Sequence, residues 1–260
     1  MNYGFIGCGN MGGALAAAAA KSVGGEAIYL ADADLQKAQA LADAIGAKVT
    51  DAQTVAKECD YIVLGVKPQG MAGLLADLPV KEGAILVSMA AGLSTDTLAQ
   101  MLGKKAAWIR MMPNTPVAVG EGRILYTVKD ADPSAEEGFL NLFKETGKLY
   151  KLEEHLIDAG TALSGCGPAF VYLFIEALAE AGIEVGVPQE IAVELAEGTV
   201  LGAAKLAVES GRAPADLRQA VCSPGGSTIE GVKSLETDGI RAMIKQAINK
   251  SYIRTKELGQ

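Results

Sequence analysis

The chain has 260 residues, a formal net charge of −8 and an isoelectric point near 4.9. So acidic a balance excludes nucleic acid and an anionic membrane surface as partners, because both call for a basic footprint, and a small-molecule ligand is expected instead. Half the residues are apolar but only 5% are aromatic, and there are 31 glycines. That composition excludes a fibrous or disordered chain and fits close-packed helices and sheet, with length enough for two modest domains.

The chain order opens on Tyr3 to Ile6, a short buried strand, followed by the turn Gly7-Cys8-Gly9-Asn10-Met11-Gly12 and the alanine-rich run Ala14 to Ala20, which reads as helix. A second strand, Ala27 to Ala31, ends at Asp32, and a helix is expected from about Asp34 to Ile45. Three more runs of strand length follow, Asp60 to Val66, Ala84 to Ser88 and Ala107 to Arg110, with helical segments between them. Runs apolar on both faces are what a parallel sheet covered by helices needs, so the fold class is α/β with an N-terminal Rossmann-type, doubly wound parallel sheet. Gly122 to Val128, a helix over Pro133 to Thr146 and a strand ending near Leu152 complete this half, placing a domain boundary between residues 155 and 156.

From 156 to 260 the sequence shows helical periodicity alone, over Pro168 to Gly186, Pro188 to Gly211, Pro214 to Val221, Thr228 to Leu235 and Gly239 to Leu258. The helix from Pro168 is apolar nearly all round, through Phe170, Val171, Tyr172, Leu173, Phe174 and Ile175. A domain of roughly 100 residues has difficulty enclosing it, so a second subunit is expected to complete this half. The most apolar stretch, Ala169 to Leu178, is broken by Glu176 and followed by Glu180, which reads as too short and too charged to span a bilayer. The four cysteines, Cys8, Cys59, Cys166 and Cys222, form no C-x-x-C and have only His155 beside them as imidazole, so no metal site is expected. A strand starting within two residues of Met1 leaves no room for a signal or transit peptide, so a reducing cytoplasm is the expected compartment.

In the G-x-G-x-x-G formed by Gly7, Gly9 and Gly12, the first glycine allows a tight turn and the second lets backbone approach a pyrophosphate. The third lets helix pack on strand, and the helix N-terminus then faces the phosphates, with Ile6, Cys8, Asn10 and Met11 around them. Asp32 stands twenty residues past Gly12, where a ribose-binding carboxylate is expected; capping the following helix is its other reading. With Asp34 nearby and no arginine between Lys21 and Lys37 to clamp a 2′-phosphate, NADH is favoured over NADPH. Val66, Lys67 and Pro68, then Ala90-Ala91-Gly92, then Asn114 fall on the ligand-binding edge of the sheet, though Lys67 can equally be a solvated strand end and Asn114 a turn former. In the helical half, Cys222-Ser223-Pro224-Gly225-Gly226-Ser227-Thr228 presents free amides at a helix start and suits a carboxylate, although Ser227 or Thr228 can instead cap the helix. Ser164-Gly165-Cys166-Gly167-Pro168 reads as another loop opening a helix.

Taken with Val66-Lys67-Pro68-Gln69, Met112-Pro113-Asn114-Thr115-Pro116 and Leu163 to Phe170, the glycine turn and the Ser223 to Ile229 block resemble the pyrroline-5-carboxylate reductase family along the whole chain. The resemblance implies reduction of 1-pyrroline-5-carboxylate to L-proline, with hydride passing from the nicotinamide to the ring imine. It further implies that Thr228 hydrogen-bonds the substrate nitrogen, that Ser223, Gly225, Gly226 and Ser227 hold its carboxylate, and that helical domains interlock as dimers, commonly five of them. Two residues depart from the family pattern: Cys166 replaces a usual serine, and Asp32 stands where NADPH-preferring relatives lack an acid. A β-hydroxyacid dehydrogenase, with Lys205, Lys233 or Lys245 as base, and a nonenzymatic dinucleotide sensor are the competing readings.

Overall fold

The computed structural model describes residues 1–259. Eight strands form one sheet: β1 Tyr3–Ile6, β2 Ile28–Ala31, β3 Lys48–Val49, β4 Tyr61–Leu64, β5 Ile85–Ser88, β6 Ala107–Met112, β7 Gly122–Lys129 and β8 Gly147–Lys151. Between them run α1 Asn10–Val23, α2 Leu35–Ile45, α3 Ala52–Glu58, α4 Pro68–Ala76, α5 Thr95–Leu102 and α6 Pro133–Leu142. The order β3-β2-β1-β4-β5-β6-β7-β8 reverses direction between β1 and β4, which is where an open α/β sheet binds its ligand.

Strand alternation explains the two cores. Tyr3, Phe5, Tyr61, Val63, Ile85, Val87 and Ile109 point to one face, against Leu15, Ala16 and Ala19 of α1 and Phe139 and Leu142 of α6. Ile6, Ile62, Leu64, Leu86 and Trp108 point to the other, against Val55, Met71, Leu75 and Leu98 of α3, α4 and α5. Both faces are covered, which is why these strands read as continuous apolar runs. The sheet departs from the all-parallel expectation at one seam, since β7 runs antiparallel to β6. The cause is the short 113–121 connection, which holds only a 3₁₀ turn over Thr115–Val119 and cannot make a crossover.

The remaining elements are helical: α7 Glu154–Gly160, α8 Gly167–Glu184, α9 Gln189–Ser210, α10 Pro214–Ala220, α11 Ser227–Thr237 and α12 Ile240–Glu257. Two compact units result, one of Met1–Pro168 with the chain from Lys250 onward, the other of Ala169–Asn249.

Two expectations are corrected here. The segment Ser164 to Pro168 is no loop: Thr161–Gly165 is a π-helical turn joining α7 to α8, closed by the Cys166 amide on the Thr161 carbonyl at 3.0 Å. The Thr161 and Ser164 hydroxyls bond back to the carbonyls of Ile157 and Gly160 and stiffen it. For the same reason the apolar stretch is not short, because Glu154–Glu184 forms a helical run of 31 residues, long and apolar enough by length and composition to cross a membrane. Its large side chains stand in the open, Leu173 at 65% exposure and Tyr172 at 55%, and α9 adds exposed Ile191, Leu195 and Leu201.

Candidate active site

The nucleotide-type edge is assembled at the strand reversal. The backbone of Gly7, at φ +103°, lies against that of Gly65, so that a Cβ on Gly7 would come within 2.7 Å of the Gly65 carbonyl. A Cβ on Gly12 would strike the Gly7 carbonyl oxygen, which is the close helix–strand approach expected of the third glycine. Around Gly9 a Cβ meets nothing within 4 Å. That opening is where backbone can approach a ligand, and α1 begins there with Gly9 as N-cap, no side-chain cap and no acid in its first turn. Unfilled helix amides with no acid in the helix's own first turn suit a pyrophosphate, so these residues fit a dinucleotide.

Asp32 closes the turn from the side. Its carboxylate accepts the Cys8 amide at 2.5 Å and the Asp34 amide at 2.8 Å. The alternative that Asp32 caps α2 is overturned, since Asp34 is the cap and accepts from the Lys37 amide. Burial first, and then the Asp32 charge, push the Cys8 thiol up to about 11, so Cys8 is a neutral packing group at the strand end.

Ile6 is buried and its carbonyl takes the Gly65 amide at 2.7 Å. Val66 is half-buried; Lys67 is the exposed N-cap position of α4, with Pro68 at the first helical place. Ala90 is buried, and its amide donates to the Ser88 hydroxyl. Asn114 lies on the same edge with its side chain already engaged: Oδ1 accepts the Arg123 amide at 2.8 Å and Nδ2 donates to the Ser164 carbonyl at 3.0 Å. It ties β6, β7 and the π turn together.

The second cluster belongs to the other compact unit. Ser223-Pro224-Gly225-Gly226 is a tight turn closed by the Gly226 amide on the Ser223 carbonyl, with Gly225 at φ +71° as a type II turn requires. Gly226, not Ser227 or Thr228, is the N-cap of α11, and no side chain caps it. The capping alternative for those two hydroxyls is therefore corrected. Ser227 and Thr228 are exposed at a bare helix N-terminus, next to amides whose partial positive charge suits a carboxylate.

The general-base alternatives fare differently. Lys205 and Lys233 are exposed and paired with Glu209 and Glu230, and Lys245 is exposed. None of the three is buried. His155 is likewise exposed beside Glu153.

A family model described as pyrroline-5-carboxylate reductase dimerisation matches residues 154–258, and one described as NADP oxidoreductase, coenzyme F420-dependent, matches residues 2–92. A pyrroline-5-carboxylate reductase of Aquifex aeolicus is 40% identical over 99% of this chain and 97% of its own. The chain belongs to the pyrroline-5-carboxylate reductase family. The Escherichia coli relative is 37% identical over 99% of this chain and 98% of its own. A pyrroline carboxylate reductase of Plasmodium falciparum, solved with NADP bound, superposes at TM-score 0.92 with 30% identity, covering 100% of this chain and 98% of that one.

Proposed function

We propose that the chain reduces 1-pyrroline-5-carboxylate to L-proline, with NAD(P)H as the reductant and the ring imine as acceptor. When bound, the reduced nicotinamide supplies the hydride. The observation that carries the reading is the bare start of α11, with two free hydroxyls and unpaired amides beside the Ser223–Gly226 turn. The Ser223–Gly226 turn, held shut by the Gly226 amide, presents the Gly225 and Ser227 amides and the Ser223 hydroxyl to the substrate carboxylate, and the Thr228 hydroxyl hydrogen-bonds the ring nitrogen. A protonated cyclic imine is already electrophilic, so the chain has only to orient it and exclude water, and no histidine base is needed. Gly7 to Gly12, Asp32, Val66 to Pro68, Ala90 and Asn114 form the dinucleotide edge. The dinucleotide-binding domain covers residues 1–155 and the substrate-binding and dimerisation domain 156–260. A second copy covers the exposed apolar faces of α8 and α9, in place of a bilayer; five such dimers form the assembly and the cytoplasm is its compartment. The family's dimerisation model over 154–258 supports the pairing.

Following the nicotinamide absorbance with pyrroline-5-carboxylate tests the activity, and Thr228→Ala tests the site. That variant is expected to lose roughly ten- to a hundred-fold in kcat/KM, one hydrogen bond to a developing amine, while its dinucleotide affinity holds. Wild-type turnover in Thr228→Ala removes the hydroxyl from the reaction.

NADH is the preferred cofactor, by roughly ten-fold in kcat/KM, because a 2′-phosphate would face the Asp32 carboxylate and find no arginine. Since Asp32 also holds the Cys8 amide, the informative variants are Asp32→Asn, which removes the charge and keeps an acceptor, and Asp32→Ser/Ala33→Arg. Both should shift the ratio toward NADPH. A wild type that prefers NADPH, or a ratio unmoved in both variants, refutes the assignment.

A further inference from the structure

The loop that follows β5 is gripped from two sides, and one of them is the far end of the chain. Ala91 packs with Leu152 against Met112, Leu125 and Ile157. On its other side Gly92, at φ +77°, meets the end of α12 with no side chain between: a Cβ there would lie 2.5 Å from the Gly259 amide nitrogen and 2.7 Å from the Thr255 carbonyl oxygen. The fit is mutual, because a Cβ on Gly259 would strike the Gly92 carbonyl. Thr255 is buried, and its hydroxyl returns to the Ser251 carbonyl, leaving its own backbone flush against the loop. From Gly92 the packing continues toward the glycine turn. Met89 extends its methyl to within 2.8 Å of where a Cβ on Gly65 would lie, and to 3.6 Å of one on Gly12. Gly65 and Gly12 both lie close against the Gly7 backbone, where a Cβ on either would strike the Gly7 carbonyl oxygen.

We infer that the last turn of α12 and the residues just after it, Thr255 to Gly259, form a positioning element for the dinucleotide edge: it fixes the Met89–Gly92 loop, and through Met89 the spacing of the Gly7–Gly12 turn. The inference rests on reading that turn as the dinucleotide site. Packed contacts of this kind transmit a displacement because close-packed interiors do not deform smoothly. Nothing in the sequence near Gly92 announces the contact, since its partner lies more than 160 positions away.

The test uses the full-length enzyme and a chain ending at Glu257, which keeps all of α12 and removes Gly259. NADH fluorescence titration should show the dissociation constant rising by roughly three- to thirty-fold. Amide exchange across Ala90–Leu93 should accelerate, with helicity and oligomer size unchanged. Gly92→Ala should move both readouts in the same direction, as its Cβ pushes the terminus away without shortening the chain. Should the shortened chain fail to fold, Gly92→Ala decides alone. Wild-type affinity together with wild-type exchange at Ala90–Leu93 overturns the inference. Gly9→Val separates it from the reading beneath it: a Gly9→Val protein that still binds NADH normally refutes the dinucleotide site, whereas the exchange measurement judges the grip on Gly92 either way.

Discussion

Gly12→Ala is expected to lose NADH affinity by roughly a hundred-fold and thermal stability as well, while Gly9→Ala is expected to lose affinity alone. The two substitutions add the same methyl group to the same turn. At position 12 it strikes the Gly7 carbonyl oxygen, which is backbone on both sides and has no flexible end to yield. Either α1 lifts from β1 or the turn opens; overpacking of this kind costs about 1–3 kcal/mol. At position 9 the methyl enters space that holds no protein atom within 4 Å, so the fold is undisturbed and only room for the ligand is lost. A fluorescence titration paired with a thermal melt of each variant checks the contrast. If Gly12→Ala binds NADH like the wild type, or if Gly9→Ala melts as early as Gly12→Ala, the roles given to the two glycines are wrong.

What could be read along the chain was what local pattern encodes. The strand, glycine turn and helix over residues 3–23 and the helix punctuation at Gly211 and Pro214 all appear where the pattern places them. The misses have a common physical origin in contacts that sequence neighbours do not reveal. The β3 strand is two residues long and carries no period at all. The reversal at β7 follows from a short connection, not from its residues. Ser164 to Pro168 looks like a helix breaker by composition, yet glycine and proline fall at the first positions of α8, where both are tolerated, and hydroxyls bonding backward hold the turn before them. Asp32 was legible as the acid just past the second strand, but its bond to the Cys8 amide, 24 residues away, was not. Asn114 offered two readings, and only its partners at Arg123 and Ser164 show that it braces the edge.

Arg110→Met is expected to lower the stability of the sheet-bearing unit by roughly 3 kcal/mol, at the low end of what an orphaned buried charge costs. Arg110 is 2% exposed and lies in β6, in register with Ser88 and Thr127. Its guanidinium reaches Asp158 at 2.5 Å and Glu154 at 3.6 Å, both on or beside the turn of α7 that precedes the π segment. Glu154 is shared: its two oxygens accept the Thr95 amide at 2.6 Å and the Thr95 hydroxyl at 2.7 Å, joining the start of α5 to the same cluster. Methionine fills much of the volume of arginine but leaves Asp158 without its cation, and the carboxylates retain only 21% and 29% exposure with which to recover hydration. The penalty therefore comes from the abandoned carboxylate more than from the lost attraction. Removing both partners, as in Arg110→Met/Asp158→Leu, should for that reason restore part of the loss. A denaturation series on the two variants checks the order: the single variant should melt roughly 5–10 °C below the wild type and the double variant between them. A double variant less stable than Arg110→Met would mean that Asp158 is held in place by something other than the Arg110 charge.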